Sequence, residues 1–412
     1  MSLSRSKRRP WVFLLGLLAR TATAQLSVTD IVAQVNSEDL RWFHTNLYVW
    51  TGQNRGFTDT ASALVPRVPA NQHDAARDMV VACFSNWGWQ VELDPFWFTR
   101  SYGSLYTYTN CHNVVAIKPG LDPTNHGIYI IGGHYDSVDP GQWLAWSPGA
   151  DDNASGVAGV LEIARVLSAY TFRATLVCIA FDGEEKGLKG AYHFVSDSTT
   201  NNPAVTNKIQ RSLVRGVISL DMITFNPAGT YSNTIRIYGY NTDTSRPIRT
   251  NLASALPRYG ALQIYNSGSS SASDHYPFGI NGMDSCLLIE RAYSSNTNYH
   301  KVTDAADQPG YLDYDYAARV ARGVAGYLCE QARVMPPARM DIAPQDATED
   351  RFLIAWDGFP GLTYALDSIE SLSGAGTWAE LTVLTNGPAG SSLCVTDEVS
   401  GVDQKFYRVR SW

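Results

Sequence analysis

Acidic and histidine side chains fall at the ends of apolar, strand-like runs and in one late polar loop. In an open α/β sheet the carboxyl edge of the strands is where ligands bind. The first group is His134-Tyr135-Asp136, directly after Gly132-Gly133. Alternation along extended backbone points His134 and Asp136 the same way, so Asp136 can take an imidazole N–H and aim His134 at a metal. A lone histidine after a strand is more often a hydrogen-bonded residue with no ligand. The second group is Asp151-Asp152-Asn153, between Gly149 and Gly156 and just before a helical stretch. Helix capping accounts for one of these acids; the other is left free to bridge cations. The third is Asp182-Gly183-Glu184-Glu185, after the run 174–180. Adjacent glutamates project differently, so one can bind metal while its neighbour serves as general base. Alone, the pair also reads as a solvated acidic turn. Asp221 ends the run 214–220, and Tyr299-His300 stands in a polar loop before the last long helical stretch.

The elements that must position these groups are legible from periodicity. Helical patterning covers 27–49 and about 71–87, returns at Val157, Val160, Leu161, Ala164 and Leu167, and again at 188–195. Runs 113–117, 127–133, 174–181 and 214–220 are strand-like. Strand and helix alternate to about Leu328, the signature of an α/β sheet with helices on both faces. Past Val334-Met335-Pro336-Pro337 come short alternating runs at 352–356, 363–366, 378–384 and 405–410, separated by Gly, Pro, Asn and Ser. They predict a small antiparallel β-sandwich over 336–412, behind a catalytic domain at 25–335. The aromatics between Trp87 and Tyr108 are expected to fill core and loop packing, not to line a pocket. His44, His73, His112, His126 and His193 match no ligand position and read as surface or hydrogen-bonded residues.

The 412 residues are 44% hydrophobic and 17% charged, an ordinary globular composition that excludes wholesale disorder. A formal charge of −7 argues against a nucleic-acid binder, whose surface would be basic. Residues 1–24 hold five cations and no acid, and without them 27 basic residues face 39 acidic ones, a balance of −12. They read as an export signal: the cationic Arg5-Ser6-Lys7-Arg8-Arg9, the nine apolar-rich residues 11–19, and the small-x-small pattern Ala22-Thr23-Ala24. Nine residues are too few to anchor in a bilayer, so the expectation is a secreted chain starting near Gln25 with no stable membrane anchor. Six cysteines in an exported chain permit disulfides. They are far apart with no C-x-x-C, and Cys178 and Cys286 sit in strand-like runs, so one or two bridges at most are expected.

In this order and spacing, His134-x-Asp136-Ser137, Gly149-Ala150-Asp151-Asp152-Asn153-Ala154-Ser155-Gly156, Asp182-Gly183-Glu184-Glu185, Leu220-Asp221-Met222 and Tyr299-His300 resemble the secreted co-catalytic di-zinc aminopeptidase family. Ser273-Asp274-His275-Tyr276-Pro277-Phe278 matches a family loop near the site. The resemblance runs over residues 30 to 330 and implies a mixed central β-sheet flanked by helices. It implies two zinc ions about 3.5 Å apart, one held by His134 and Asp221, the other by Glu185 and His300, with Asp152 bridging. Three carboxylates and two neutral imidazoles would leave the ion pair near +1. Glu184 would be the general base, Asp136 would support His134, and Tyr299 would donate to the oxyanion. A cis peptide after Asp152 belongs to the same pattern. The implied substrates are peptide or protein N-termini; the oligomeric state stays open, with a monomer favoured. Carboxypeptidase or dipeptidase action on the same scaffold stays open. Glutaminyl cyclisation with one zinc is disfavoured by the five-ligand set, and a non-catalytic ectodomain by the retained Asp152, Glu184, Glu185 and His300.

Overall fold

A computed structural model describes residues 11–14, 27–47, 72–101, 105–138, 148–195, 209–335, 340–344, 351–357, 363–370, 377–385, 392–398 and 404–411. The chain divides into two compact units, Leu26–Met335 and a smaller one that joins Met1–Gln25 to Pro336–Trp412. The cationic stretch 5–9, the cleavage pattern 22–24 and the Pro336-Pro337 step lie outside the described residues.

The smaller unit contributes β1 (Trp11–Leu14), part of the segment read as the apolar core of an export signal. The larger unit carries β2 (Gln90–Ser101), β3 (Leu105–Lys118), β4 (Ile128–His134), β5 (Thr171–Phe172) and β6 (Thr175–Phe181). It continues with β7 (Val214–Leu220), β8 (Thr234–Gly239), β9 (Gln263–Ser269), β10 (Ser285–Glu290) and β11 (Val334–Met335). Eight of these form one mixed sheet in the order β2-β3-β6-β4-β7-β10-β8-β9. The four central strands β6, β4, β7 and β10 run parallel. β3 and β8 flank them antiparallel. Every residue of β6 and β10 is buried, as befits parallel strands covered on both faces.

The helices Gly156–Ser168, Pro247–Gly260 and Tyr314–Gln331 pack on one face through Val157, Leu161, Leu252, Val320 and Val324. Phe278 of the helix His275–Ile280 and Ala191 of the helix Lys189–Val195 pack on the other, against Val177, Ile179 and Val217. The register pairs His134 with Phe181, Gly132 with Ser219, and Leu220 with Leu288, so β4, β6, β7 and β10 end at one edge. Close backbone approach there requires glycine. A Cβ on Gly156 would stand 2.2 Å from both the Leu220 carbonyl and Asn153 Oδ1.

One expectation holds and one changes. The aromatic stretch is a long hairpin, β2 with β3, in which Phe96 and Phe98 alternate inward against Tyr108 while Trp97 is 67% exposed. All six cysteines are free thiols, so no bridge forms. Five of them are buried as small hydrophobes, and burial pushes the Cys83 thiol up to about 11.

The smaller unit continues with β12 (Met340–Pro344), β13 (Arg351–Asp357), β14 (Thr363–Ile369), β15 (Ala379–Thr385), β16 (Ser392–Glu398) and β17 (Gln404–Ser411). Its sheets are β1-β17-β14-β15 and β12-β13-β16, antiparallel except for the parallel β1–β17 edge. Trp356 of β13 and Tyr364 of β14 are buried with ring centroids 6.3 Å apart.

Candidate metal centre

The sheet edge gathers the groups singled out in the sequence. His134 ends β4, Glu184 and Glu185 stand in the loop after β6, and Asp221 follows β7. Asp152 lies in the turn before the helix Gly156–Ser168, and His300 in the loop after β10. The Asp152 carboxylate faces both imidazoles: Oδ1 is 3.3 Å from His134 Nε2, and Oδ2 is 3.1 Å from His300 Nε2. Each imidazole has further acids of its own. Asp221 Oδ1 and Glu184 Oε2 stand 3.7 and 4.0 Å from His134 Nε2, and Glu185 Oε2 stands 3.4 Å from His300 Nε2. One donor atom from each of His134, Asp152 and Glu185 lie within 4.8 Å of one another, as do those of His134, Glu184 and Asp221.

These residues fit a metal. The donors are nitrogen and oxygen without thiolate, the set of a catalytic zinc site. The excess of carboxylate is also costly without a cation. Burial, aided by the charge of Asp152, pushes Glu185 up to about 7. Burial also raises Glu184 well above the usual carboxylate range; the His134 charge opposes this, and Glu185, Asp274 and Asp221 add to it. Burial would raise Asp152 as well, but its two imidazole partners prevail and hold it below its ordinary value. Burial alone would lower His134, yet Glu184 and the surrounding carboxylates raise it.

The support beneath these ligands differs in part from expectation. Asp136 was expected to hold His134 through its carboxylate. His134 Nδ1 instead lies 3.0 Å from the Asp136 main-chain oxygen, with the nearest carboxylate oxygen at 3.5 Å. The carboxylate accepts the main-chain N–H groups of Glu184 at 3.1 Å and Glu185 at 3.2 Å. Two adjacent main-chain N–H groups need acceptors, and Asp136 supplies one oxygen to each. Asp136 therefore sets the backbone of the Glu184-Glu185 loop.

Asp304 does the same for the other ligand turn and was missed in the sequence. Its two carboxylate oxygens accept from the N–H groups of Asp151 (2.8 Å) and Asp152 (3.0 Å), and the Tyr311 hydroxyl donates to it at 2.9 Å. A lone acid whose partners are backbone amides leaves no residue-type pattern to find. Asp151 takes the structural part: its carboxylate accepts from the Thr224 N–H and hydroxyl and from Asn296. The Asp152–Asn153 peptide is cis, and the Asn153 side chain bonds to the Leu220 carbonyl and the Gly156 and Met222 N–H groups.

The Tyr299 ring stacks on the His300 imidazole, with centroids 4.0 Å apart. Burial and the carboxylates of Asp152, Asp221, Glu185 and Glu184 keep its phenol protonated far above the usual range, so it is a donor. Two of the bland histidines turn out to be buried braces. His44 Nε2 is 2.7 Å from the Ala150 carbonyl oxygen, and His73 Nε2 is 2.7 Å from Asp182 Oδ1.

Residues 113–328 match the family model described as peptidase family M28. The chain belongs to that family. A probable zinc metalloprotease of Pyrenophora teres f. teres is 29% identical to it over 272 residues, covering 61% of this chain and 54% of the relative. A probable leucine aminopeptidase of Trichophyton verrucosum is 28% identical over 228 residues, covering 53% and 56%. The chain thus spans little more than half the length of these relatives. Among solved structures, the LapA aminopeptidase of Legionella pneumophila aligns with a TM-score of 0.55 at 19% identity, covering 74% of each chain. A glutaminyl cyclase of Porphyromonas gingivalis aligns with a TM-score of 0.55 at 20% identity, covering 72% of this M28 chain and 99% of the cyclase. Both likenesses show the fold.

Proposed function

We propose that this M28 chain is a zinc-dependent aminopeptidase that hydrolyses N-terminal residues from peptides. The observation that carries this reading is the shared Asp152 carboxylate, with one oxygen toward His134 and the other toward His300. Two half-sites follow from it, His134 with Asp221 and Glu185 with His300, enough for two zinc ions per chain. Bound there, zinc supplies a polarised carbonyl and an acidified water. Glu184 faces the His134 side, accepts the proton of the attacking water, and returns it to the leaving amine. The Tyr299 hydroxyl donates to the oxyanion. Asp221, Glu184 or a metal would receive the free α-ammonium. The cationic, apolar and small-x-small segments of residues 5–24 support export with cleavage before Gln25, which N-terminal sequencing of the exported protein tests.

The deciding experiment takes the purified chain with its metals counted, one unblocked peptide, and the same peptide acetylated at its N-terminus. Loss of the first residue from the unblocked peptide alone, with two zinc ions per chain and sensitivity to chelator, is the expected result. Shortening of both peptides from the C-terminal end would move the activity to a carboxypeptidase. One zinc per chain, with ring closure of an N-terminal glutamine and no hydrolysis, would make it a cyclase.

A further inference from the structure

On the sheet face that carries the Asp221 side chain, the cross-strand neighbours of Asp221 lead to an unusual pair of arginines. The Asp221 N–H bonds to the Leu288 carbonyl, which brings Ile289 of β10 beside it. Ile289 is paired with Arg236 of β8, and Arg236 with Tyr265 of β9. Ser219 and Asp221 share one side of β7, because the Ser273 hydroxyl reaches both, 3.1 Å from Ser219 Oγ and 2.8 Å from Asp221 Oδ2. Arg236 therefore starts two strand spacings from the metal ligand, on the order of 10 Å. Between them lies an apolar floor of Met222, Tyr238, Leu287 and Ile289.

The Arg236 guanidinium lies over the Tyr238 ring at 3.8 Å and the Tyr265 ring at 5.0 Å. Arg291, one residue past β10, lies over the same Tyr265 ring at 4.0 Å and over Tyr231 at 4.6 Å. Two cations thus share one ring, and Tyr265 and Tyr231 are 39% and 44% exposed. Elsewhere arginines meet acids: Arg165 meets Glu162 and Asp39, Arg246 meets Asp284, and Arg408 meets Asp367. Among the described residues neither Arg236 nor Arg291 has a carboxylate within ion-pair distance, and Arg236 Nε is buried with no hydrogen-bond acceptor. Stacking holds the guanidinium planes but leaves their N–H edges, which match a carboxylate in geometry and charge.

Resting on the aminopeptidase reading, we infer that Arg236 and Arg291 form a carboxylate-binding subsite beside the metal centre that selects acidic substrates. The two guanidinium groups converge on the Tyr265 ring, so a substrate carboxylate lying across the apolar floor would be paired by both. The carboxylate comes either from the side chain of the N-terminal residue or from the C-terminus of a very short peptide.

The test uses the full zinc-loaded chain. Glutamyl p-nitroanilide against glutaminyl p-nitroanilide reads the side-chain source. Leucyl-glycine against leucyl-glycine amide reads the C-terminal source. In one arm the charged substrate is expected to exceed its neutral partner in kcat/KM by about 10-fold or more. That ratio falls toward one in R236Q and R291Q and is partly kept in R236K. Ratios near one in both arms of the wild type, or a preference that R236Q leaves intact, would overturn the subsite. Calorimetric binding of glutamate against glutamine, and of the dipeptide against its amide, gives the same comparison without turnover. A chain that cleaves no free-amine substrate thus sinks the aminopeptidase reading while these binding ratios still decide the subsite.

Discussion

At the scale of single residues, the proposed function divides the centre into groups that would hold a cation and groups that would act beside it. The two carboxylate oxygens of Asp152 each face a different one of the site's imidazoles, so its loss opens both half-sites together. Asp152→Ala is expected to lose bound zinc and activity in parallel, read by metal analysis after dialysis alongside peptide turnover; full occupancy in that variant would contradict bridging. Glu184 is assigned to proton transfer, and its loss should leave the other donors in place. Glu184→Gln is therefore expected to keep its zinc and lose about 100- to 10,000-fold in kcat, the span of positioned acid–base catalysis. The Tyr299 hydroxyl contributes one donor, so Tyr299→Phe should lower kcat by about 10- to 1000-fold with little change in metal content. Single-turnover rates with metal counts separate these three outcomes.

At the scale of elements, the candidate ligands hang on turns whose backbone is held by other acids. Asp136 fixes the loop after β6, and Asp304 fixes the turn before the helix Gly156–Ser168. Asp304→Asn puts an amide donor where two N–H groups need acceptors. Zinc affinity should fall about 10- to 100-fold, the usual effect of losing a ligand's support, as measured by competition with a chelator. The helix Gln72–Asn86 is tied to the end of β6 in the same manner, through His73 and Asp182. Burial alone would lower the His73 pKa, but Asp182 overcomes this and raises it from 6.5 to about 10. The folded state thus holds the proton more tightly than the unfolded one. The pair's stabilisation is full below about pH 6.5 and is lost as pH rises through about 10. His73→Gln should lower the melting temperature most near pH 6, with the gap to wild type closing toward pH 10. A gap independent of pH would remove the charged pair. These braces explain what the sequence concealed. His134, Asp152, Glu185, Asp221 and His300 were legible because a metal needs particular side chains at strand ends, and those ends are marked by apolar runs and glycine. Asp304 and the true partners of Asp136 were not, since a backbone N–H carries no residue type. The arginine pair was hidden because Arg236 and Tyr265 meet through strand register, 29 positions apart in the chain. The β2–β3 hairpin was hidden for another reason: Phe96 and Phe98 alternate correctly for a strand, but Asp94-Pro95 before them reads as a turn.

At the scale of the molecule, the candidate donors, their braces and the Arg236–Arg291 pair all belong to Leu26–Met335, and the second unit has buried apolar residues of its own, including Ile354, Trp356, Leu366 and Tyr407. Zinc that binds only the folded catalytic unit stabilises that unit by mass action, about 2.7 kcal/mol when free metal is 100 times its dissociation constant. The smaller unit offers no comparable donor cluster among the described residues, so the metal has nothing to stabilise there. Scanning calorimetry of the full chain should therefore resolve two transitions, of which only one moves down on chelation and back up on adding zinc. Ending the chain at Met335 should delete the transition that does not move, with metal content and the cleavage of short peptides kept. A single transition that shifts as a whole with zinc would show that the units unfold together. In that case the smaller unit must be counted as part of what keeps the metal-binding unit folded.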